Sequence, residues 1–557
     1  MLIQRLKRSG RSAAAAAACA AVVAMLAPVA RGGEQDPILP PVEQILPPRD
    51  TLAARLTVTV KSFRFEGNTA FSDEELAEVV KEYVGRKLTS EELHEARQAL
   101  SRHYVDSGYV NSGAVLPDQK VADGAVTFRI VEGELTRVEI SGNEWTKALY
   151  IQPRVMRGIE RPLDLGRLKD NLEILRQNPV FDRVQATLQP GTKPGQSWLD
   201  LTVEEARPYQ LAVRFANQEN PSVGAERINI LAEHKNLTGI GDAVSVDYGL
   251  TTGGISDIEW ACWDQINVRY SVPLTPWETT LRLGYERSDS LLIEEPFEEL
   301  QINSESETFS VGVRQPLYRT PNSEFALSLT GERRTSESRL LGERFSFSPG
   351  EEDGVAKVSV LRFGQEWLTR TEKQVIAAVS VFSFGLPACG ATDHDGDLPD
   401  SRFLAWLGQA QYVRRLGQTH SRIIARGTTQ LVNSSMLPLE QFGIGGMYTV
   451  RGYRENQIVR DNGLVGSLEL RIPLLRDEAA HTNVLEFASF FDIGYGWQVH
   501  EPTQEQLMCS AGLGLLLNIA DRVDGRIYWG LPFRNFDQSD HNLQDSGIHF
   551  TLIVRAF

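Results

Sequence analysis

One arginine stands in a constrained stretch about a hundred residues before the C-terminus. The sequence GGMYTVRGYREN runs from Gly445 to Asn456, and its only central base, Arg451, lies between a valine and a glycine with tyrosines close by. A guanidinium group that is partly removed from water needs a planar acceptor, and a carboxylate accepts two of its hydrogen bonds at once. The stretch therefore indicates a loop arginine that is held by a specific contact. An arginine exposed to solvent at a loop tip is the alternative.

Other residues whose types could do chemistry lack the spacing that catalysis or metal binding requires. GIGGMY is rich in glycine, but it follows no strand–helix unit, so it is not expected to bind a nucleotide. Asp393, Asp395 and Asp397 alternate as in some calcium loops, but the glycine is misplaced and no distal glutamate completes the loop. A solvated acidic loop is the alternative. The nine histidines are scattered. We therefore expect no enzyme, no metal site and no cofactor.

The N-terminal segment predicts export from the cytoplasm. Residues 1–32 have the basic start, the alanine-rich apolar run and the small residues of a signal peptide, and an N-terminal anchor helix is the alternative. Residues 33–56 form a linker whose prolines forbid a long helix. The net charge of −16 argues against nucleic acid as a partner, because that role needs a basic patch.

The cysteines that follow the predicted signal peptide are too few for a disulfide framework. They are Cys262, Cys389 and Cys509, an odd number without the spacing of a zinc site. Cys262 and Cys389 both fall in predicted surface loops. An oxidising exterior permits a bridge between them if the loops lie close together.

An internal repeat follows the linker. Gly67-Asn68 and Gly142-Asn143 each stand after an alternating strand and before a helical pattern, and each repeat closes with two more strand-like segments. The pattern predicts two small α+β domains of the same strand–helix–helix–strand–strand order, and two unrelated α+β domains are the alternative. The predicted boundaries are 57–134 for the first domain and 135–207 for the second.

Residues 208–557 carry sixteen short alternating segments in place of helical periodicity. Short connections such as LTPWE alternate with long ones, such as the loop from Leu431 to Asn462, as in outer-membrane barrels. In SLELRI, the alternation turns Glu469 and Arg471 to one face and the leucines to the other. The sequence predicts a 16-stranded antiparallel transmembrane β-barrel, which satisfies its backbone groups within lipid. A soluble β-sandwich is the alternative.

Three separated motifs carry a resemblance to a known family. LPLEQFGIGGMYTVRGYRENQIVRDNG, NLTGIGDAVSVDYG and FFDIGYGW resemble signature segments of the two-partner secretion transporters, which export haemolysins and filamentous haemagglutinins. The resemblance covers nearly the whole chain after the signal peptide. It implies two polypeptide-transport-associated (POTRA) domains in the periplasm, a barrel in the outer membrane and export of one large β-helical exoprotein.

The resemblance also implies a site. The long loop between predicted strands eleven and twelve folds back into the lumen, and Val450, Arg451, Gly452 and Tyr453 form its VRGY motif. Arg451 is expected to meet Asp492 of strand thirteen, and Gly452 to let the backbone approach the wall. The Gly-Asn pairs are expected to form the POTRA turns.

Two features depart from the family pattern. Few residues, rich in proline, precede the first domain, so a helix that plugs the pore is not expected. Phe557 ends the chain as the barrel-assembly signal requires, but Phe550, Leu552 and Val554 fall on the opposite strand face. A bulge near the end would reconcile the two faces.

Export without a nucleotide site must draw on folding of the cargo outside the cell. We expect the unfolded exoprotein to add a strand to the edge of a POTRA sheet, with the second domain favoured. Lipid of the outer membrane and the barrel-assembly machinery are the other expected partners. A factor that inserts other barrels into the membrane is the alternative function. A passive porin would carry no POTRA repeats.

Overall fold

The computed structural model describes residues 57–556 except for 122, 252–264, 295–299, 397, 418, 481, 501–505 and 537–541. The predicted signal peptide, the linker, Cys262, Asp397 and Phe557 therefore lie outside the described residues. The described chain divides into two compact units, one ending at Ala206 and one beginning at Arg207. No helix within the described ranges is long and apolar enough to cross a membrane.

The first domain is a three-stranded sheet covered by helices. Its first strand, Ser62–Glu66, runs parallel to its last strand, Ala125–Val131, and Gly113–Val115 pairs antiparallel on the other side of the last strand. The closing strand is therefore the central one. The remaining elements are the helices Asp73–Val79 and Ser90–Asp106, the 3-10 turn Lys81–Tyr83 and the paired strands Thr57–Thr59 and Lys87–Thr89.

Both helices of this domain begin at capping boxes. Ser72 with Glu75, and Thr89 with Glu92, exchange side-chain and backbone hydrogen bonds and so satisfy free N–H groups of the first turn. The apolar faces of the helices pack on the sheet. Fully buried members of this core are Leu76, Leu100, Tyr104 and Phe128.

The second domain repeats the order of the first, as the sequence repeat predicts. Glu134–Ser141 runs parallel to the central closing strand Gln196–Glu205, and Phe181–Pro190 pairs antiparallel on the other side. The helices Ala148–Val155 and Leu165–Arg176 stand between the first and second strands. In both domains the closing strand lies inside its sheet, so the edges that a partner strand could extend belong to other strands.

The unit from Arg207 onward contains a closed barrel of sixteen antiparallel strands, which confirms the predicted number. The first strand pairs with the second and also with the last, where Ala216 lies opposite Thr551. In chain order the strands are Tyr209–Ala216, Arg227–His234, Ala243–Thr251, Gln265–Pro273, Thr280–Leu291, Asn303–Arg319, Ser323–Leu340, Val355–Arg370, Gln374–Leu386, Leu404–Leu416, Ser421–Val432, Asn462–Asp477, Thr482–Trp497, Gln506–Ile519, Val523–Pro532 and Ile548–Arg555.

Alternation along each strand separates a lipid-facing surface from a polar lumen. On strand 12, Leu468 and Ile472 are exposed on the outside, whereas Glu469 between them is buried on the inside. Inward-facing ionisable groups form ion pairs, such as Arg314 with Glu366 at 2.8 Å. A base on the lipid face at mid-depth costs ~2–4 kcal/mol, which explains why these groups point inward.

The pairing register of the barrel strands shifts near some strand ends. The register shifts at Pro316 on strand 6 and at Pro473 on strand 12, where a proline cannot donate to the ladder. The last strand pairs without a shift through Arg555, so the described part of this strand contains no bulge.

The longest connection is the loop of residues 433–461 between strands 11 and 12.

Candidate functional site

The loop of residues 433–461, hereafter the lumenal loop, is folded back against the inner wall of the barrel. It contains a short hairpin of Phe442–Ile444 paired with Ile458–Arg460. Its apolar residues pack on inward-facing residues of strands 12 and 14, which places the loop in the lumen. The buried cluster consists of Phe442, Ile444, Val450, Tyr453, Ile458, Val465 and Met508.

The structure brings Arg451 of this loop onto Asp492 of strand 13. Nε of Arg451 donates to Oδ2 of Asp492 at 2.8 Å, and Nη2 donates to Oδ1 at 2.9 Å, so the pair is bidentate. The backbone N–H of Arg451 also donates to Oδ2, at 3.1 Å. Arg451 is 3% exposed and Asp492 is fully buried. Loss of either charge would leave the other charge buried without its main partner.

A second acid, Glu469 of strand 12, completes the contact. Nη1 of Arg451 donates to its Oε2 at 2.7 Å, while Nη2 donates to the Ser467 hydroxyl at 3.1 Å. Glu469 also pairs with Arg471 at 2.5 Å and lies 3.6 Å from Arg426. Strand alternation predicts that Glu469 and Arg471 face inward, but it does not reveal that Glu469 meets Arg451. We call Arg451, Asp492 and Glu469 the arginine clamp.

Two aromatic rings fix the plane of the guanidinium group in the clamp. The guanidinium carbon of Arg451, Cζ, lies 3.6 Å from the ring centroid of Phe490 and 4.8 Å from that of Tyr528. The Tyr528 hydroxyl donates to Oε1 of Glu469 at 3.1 Å. A desolvated cation over an aromatic face gains ~2 kcal/mol. Because a lysine lacks the planar fork, it could not reproduce this arrangement.

Gly452 allows the loop backbone to touch the wall. Its φ of +90° is unfavourable for other residues, and a Cβ there would lie 2.8 Å from the backbone of Gly530 on strand 15. Its N–H donates to Nε2 of His549 on the last strand at 3.1 Å. Any larger residue at position 452 would push the loop away from strand 15.

The other two residues of the VRGY motif anchor the loop on neighbouring strands. The Tyr453 hydroxyl donates to the carbonyl of Cys509 at 2.9 Å and accepts from the N–H of Arg534 at 3.2 Å. Val450 is fully buried and faces Gly494, where a Cβ would lie 2.7 Å from its methyl group. All four residues of the motif therefore contact the wall.

Reasoning from the sequence missed a second ionic contact at the start of the loop. Oε1 of Glu440 accepts from Nη1 of Arg334 on strand 7 at 2.7 Å. Both carboxylate oxygens of Glu440 accept from Nη2 of Arg362 on strand 8 at 2.9 Å. Glu440 is buried. An ionisable residue in the apolar stretch LPLEQF was the available signal, but its partners lie far away in the chain.

A third ionic contact follows the clamp and was also missed. Arg454 forms a bidentate pair with Asp545 in the loop before the last strand, at 2.6 and 2.9 Å. Its Nη1 donates to Glu294 in the loop after strand 5, at 2.7 Å. The lumenal loop is thus tied to strands and loops from several parts of the barrel.

The Gly-Asn pair of the first domain forms a tight turn against the closing strand. Gly67 has a φ of +90°, and a Cβ there would lie 2.7 Å from the carbonyl of Ile130. The Asn68 amide donates to the carbonyl of Phe71 at 3.0 Å. Glu132 accepts the next two backbone N–H groups at 2.6 and 2.9 Å. Burial alone would raise the pKa of Glu132, but the hydrogen bonds from the Thr69 hydroxyl and from these two N–H groups outweigh it and lower the pKa.

The second domain repeats this turn with its own acid. A Cβ at Gly142 would collide with the carbonyl of Val203, and the Asn143 amide donates to a carbonyl three residues on at 2.9 Å. Glu205 accepts two backbone N–H groups, at 2.9 and 2.7 Å. Glu132 and Glu205 each stand at or just after the end of a closing strand, and this shared position is the signal that sequence reasoning overlooked.

The remaining candidates from the sequence are not members of the arginine clamp. Asp393 forms an ion pair with Arg402 in the loop after strand 9. Where the structure describes the chain, no group of three or more histidine, cysteine or acidic side chains could hold a metal ion. Cys389 is an exposed free thiol in the same loop. Because Cys262 is not described, the bridge to Cys389 stays a prediction.

Comparison with known proteins places the chain in a family. The model of the haemolysin secretion/activation proteins ShlB/FhaC/HecB matches residues 195–517, and the model of the ShlB-type POTRA domain matches residues 58–133. The outer membrane transporter CdiB of Dickeya dadantii is 22% identical over 74% of this chain and 72% of its own length. The heme/hemopexin transporter protein HuxB of Haemophilus influenzae is 21% identical over 76% and 73%.

Solved structures show the same fold. CdiB from Escherichia coli superposes with a TM-score of 0.69 at 22% identity, over 94% of both chains. BamA from Haemophilus ducreyi, solved without POTRA domains 1–3, gives a TM-score of 0.51 at 16% identity, over 89% of this chain and all of its own.

POTRA domains followed by a closed sixteen-stranded barrel define a POTRA-bearing outer-membrane protein, and relatives such as CdiB and HuxB are outer-membrane transporters of the two-partner secretion class. The chain belongs to the ShlB/FhaC/HecB family of haemolysin secretion/activation proteins, whose model matches more than half of it. The barrel therefore lies in the outer membrane and the POTRA domains in the periplasm, which confirms the predicted location.

Proposed function

We propose that this protein exports one partner exoprotein across the outer membrane, with the lumenal loop acting as its gate. The observation that carries the proposal is the arginine clamp: a buried, bidentate ion pair holds a long loop inside the barrel. Sixteen strands enclose an aqueous bore rather than a packed core. A loop held in such a bore by discrete contacts is suited to closing a path that opens for cargo.

The cargo is a large β-helical exoprotein that reaches the periplasm unfolded and adds a strand to a POTRA sheet. Phe181–Pro190 is the longest edge strand of the two described sheets, and it belongs to the second domain. Its Asp182, Arg183 and Gln185 are exposed. Strand addition reads backbone donors and acceptors, so it accepts an unfolded chain of varied sequence.

Transport itself needs no catalysis by this chain. Folding of the cargo outside the cell draws the rest of the cargo polypeptide through the lumen. Lipid of the outer membrane covers the exposed apolar face of the barrel, and the barrel-assembly machinery inserts the protein into the membrane. Insertion of other barrels by this protein is the competing function.

Co-expression with a candidate exoprotein tests the proposal. We expect the exoprotein in the medium with the intact protein and in the periplasm without it. The abundance of unrelated outer-membrane barrels, measured in the same cells, serves as the control and should not change. If cells without the protein still secrete the exoprotein but lose those barrels, the competing function, insertion of other barrels, would be favoured.

Binding to the periplasmic domains can be measured separately. The fragment of residues 51–207 should bind the N-terminal domain of the exoprotein in calorimetry. A proline in Phe181–Pro190, placed where the N–H faces away from the central strand, should weaken binding and leave the fold intact. Alanine at exposed Gln185 is the matched control. A folded fragment that does not bind would move cargo recognition to the barrel.

A further inference from the structure

Four lumen-facing residues form one row across strands 11 to 14, at the level of the arginine clamp. Arg426 lies opposite Ser467, Ser467 lies opposite Asp492, and Asp492 lies opposite Ser510. Only the small Ser467 therefore separates Arg426 from Asp492. Neighbouring strands are ~4.8 Å apart, so an extended arginine side chain on strand 11 can reach across strand 12.

Arg426 has a poor partner in the observed arrangement. Its Nη1 lies 3.6 Å from Glu469, an acid that has shorter contacts with Arg451 and Arg471 at 2.7 and 2.5 Å. Its Nε is buried and lacks a hydrogen-bond partner among the residues that the structure describes. Arg426 is thus a wall arginine whose hydrogen-bonding capacity is largely unused beside the clamp.

The space between Arg426 and Asp492 is occupied by the loop arginine. Nη2 of Arg451 donates to the Ser467 hydroxyl at 3.1 Å, directly in the row. Departure of Arg451 with the loop would empty this space, because a serine cannot fill it. The path from Arg426 to Asp492 would then be open.

Asp492 depends on Arg451 in the closed state. Among the described residues, Arg451 donates all three hydrogen bonds that its carboxylate accepts. On its other side, the Ser510 hydroxyl is fully buried and has no hydrogen-bond partner in the described part of the chain. A carboxylate left in this position without a base would oppose release of the loop.

We propose that Arg426 replaces Arg451 on Asp492 when the lumenal loop leaves the wall, and that Ser510 donates a further hydrogen bond. The inference rests on the proposed function, because it requires a state in which the loop is released. The charges favour it. In the closed state three bases, Arg426, Arg451 and Arg471, face two acids, Asp492 and Glu469. After Arg451 leaves with the loop, two bases face the same two acids. Arg426 is then a positioning residue of the gate.

A double-mutant cycle on the full-length protein tests the replacement. Thermal unfolding is measured for Arg426→Gln in the wild type and in the Arg451→Ala variant. We expect Arg426→Gln to change the unfolding temperature little in the wild type. In the Arg451→Ala variant it should lower that temperature strongly, because Arg426 is then the remaining base for Asp492. Arg422→Gln is the matched control: Arg422 is on the same strand and pairs with Glu486 at 2.6 Å, so its effect should be equal in both.

Rescue separates an unpaired acid from a general folding defect. Asp492→Asn should restore stability or assembly to the Arg451→Ala, Arg426→Gln protein, since it removes the charge that lacks a base. Arg426→Lys should retain part of the coupling. Equal effects of Arg426→Gln in both backgrounds, or failure of Asp492→Asn to rescue, would overturn the proposal.

Single-channel recording measures the consequence for the gate. We expect Arg426→Gln to open at least tenfold less often than the wild type while its closed state stays as stable. Unchanged opening would contradict the role in release. The stability cycle does not involve cargo, so failure of secretion would count against the proposed function and leave the replacement of Arg451 to be judged by the cycle.

Discussion

Removal of either side chain of the loop–barrel ion pair should open the gate without preventing barrel assembly. Arg451→Ala removes the side-chain contacts to both acids, but Glu469 keeps Arg471 at 2.5 Å. Asp492 is then the acid that loses its closed-state partner, and only a movement of Arg426 across strand 12 would supply another base. Breaking a buried pair by removing one member costs ~3–5 kcal/mol. At about 1.4 kcal/mol per factor of ten, docking of the loop would weaken roughly 10²- to 4 × 10³-fold.

Asp492→Ala should have a smaller effect than Arg451→Ala. The arginine would keep Glu469 at 2.7 Å and the ring of Phe490 at 3.6 Å, so its charge would remain partly compensated. We expect a loss near ~3 kcal/mol, the lower end of the range for a broken buried pair. The double variant should be no worse than Arg451→Ala, because both changes remove the same interaction.

Three measurements on the same cells check this prediction. They are secretion of the exoprotein into the medium, heat-dependent gel mobility of the barrel, and protease cleavage within the lumenal loop. Both variants should assemble, secrete less and be cleaved more readily. Arg422→Ala, which breaks a lumenal pair with Glu486 away from the loop, should behave as the wild type. Full secretion by either single variant would refute the reasoning.

Other expectations concern the loop backbone, the POTRA turn and the cysteines. Gly452→Ala should undock the loop and increase its protease cleavage, because the new Cβ would lie 2.8 Å from Gly530; an uncleaved variant would contradict this. The pKa of Glu132 lies below its ordinary 4.5, so its contribution to stability should be present above pH 4.5 and lost as the pH falls through the lowered pKa. Glu132→Gln should reduce this dependence in unfolding experiments. If the loops of Cys262 and Cys389 lie close together, a bridge between the two residues would change gel mobility without reductant; two free thiols would exclude it.

The barrel could be predicted because its signal is local. Each strand alternates within ten or so residues, and the cost of exposing a charge to lipid fixes which face turns inward. This reasoning predicts that Glu469 and Arg471 face the lumen, and Glu469 is buried there. Counting such segments gives the strand number, because a closed antiparallel barrel follows the order of the chain.

The contacts of the lumenal loop could not be predicted in the same way. Glu440 meets Arg334 and Arg362, and Arg454 meets Asp545, through register and closure of the whole barrel rather than through local sequence. The resemblance supplied one pair, Arg451 with Asp492. Without it, the sequence gives no reason to prefer one inward-facing acid over another.

The POTRA sheets show a second limit of local reasoning. Strand patterns locate the closing segments Ala125–Val131 and Gln196–Glu205, but they do not tell which strand is central. The parallel pairing of first and last strands in each domain decides this, and it places the closing strand inside. The strand that we propose for docking of an unfolded chain is therefore an edge strand, Phe181–Pro190.

The chemistry of the loop contacts suits a closure that must be reversible. Burial of an apolar side chain such as Val450 stabilises the closed state by ~1.5–3 kcal/mol. This stabilisation is lost when the loop moves into a water-filled open pore. Ionic groups behave differently: their attraction in the closed state is largely offset by lost hydration, which they regain when the pore opens. The geometry of Arg451 between Asp492 and Glu469 can therefore be specific while its net free energy stays modest. Such pairs let the gate close in one defined position and still open for an arriving chain.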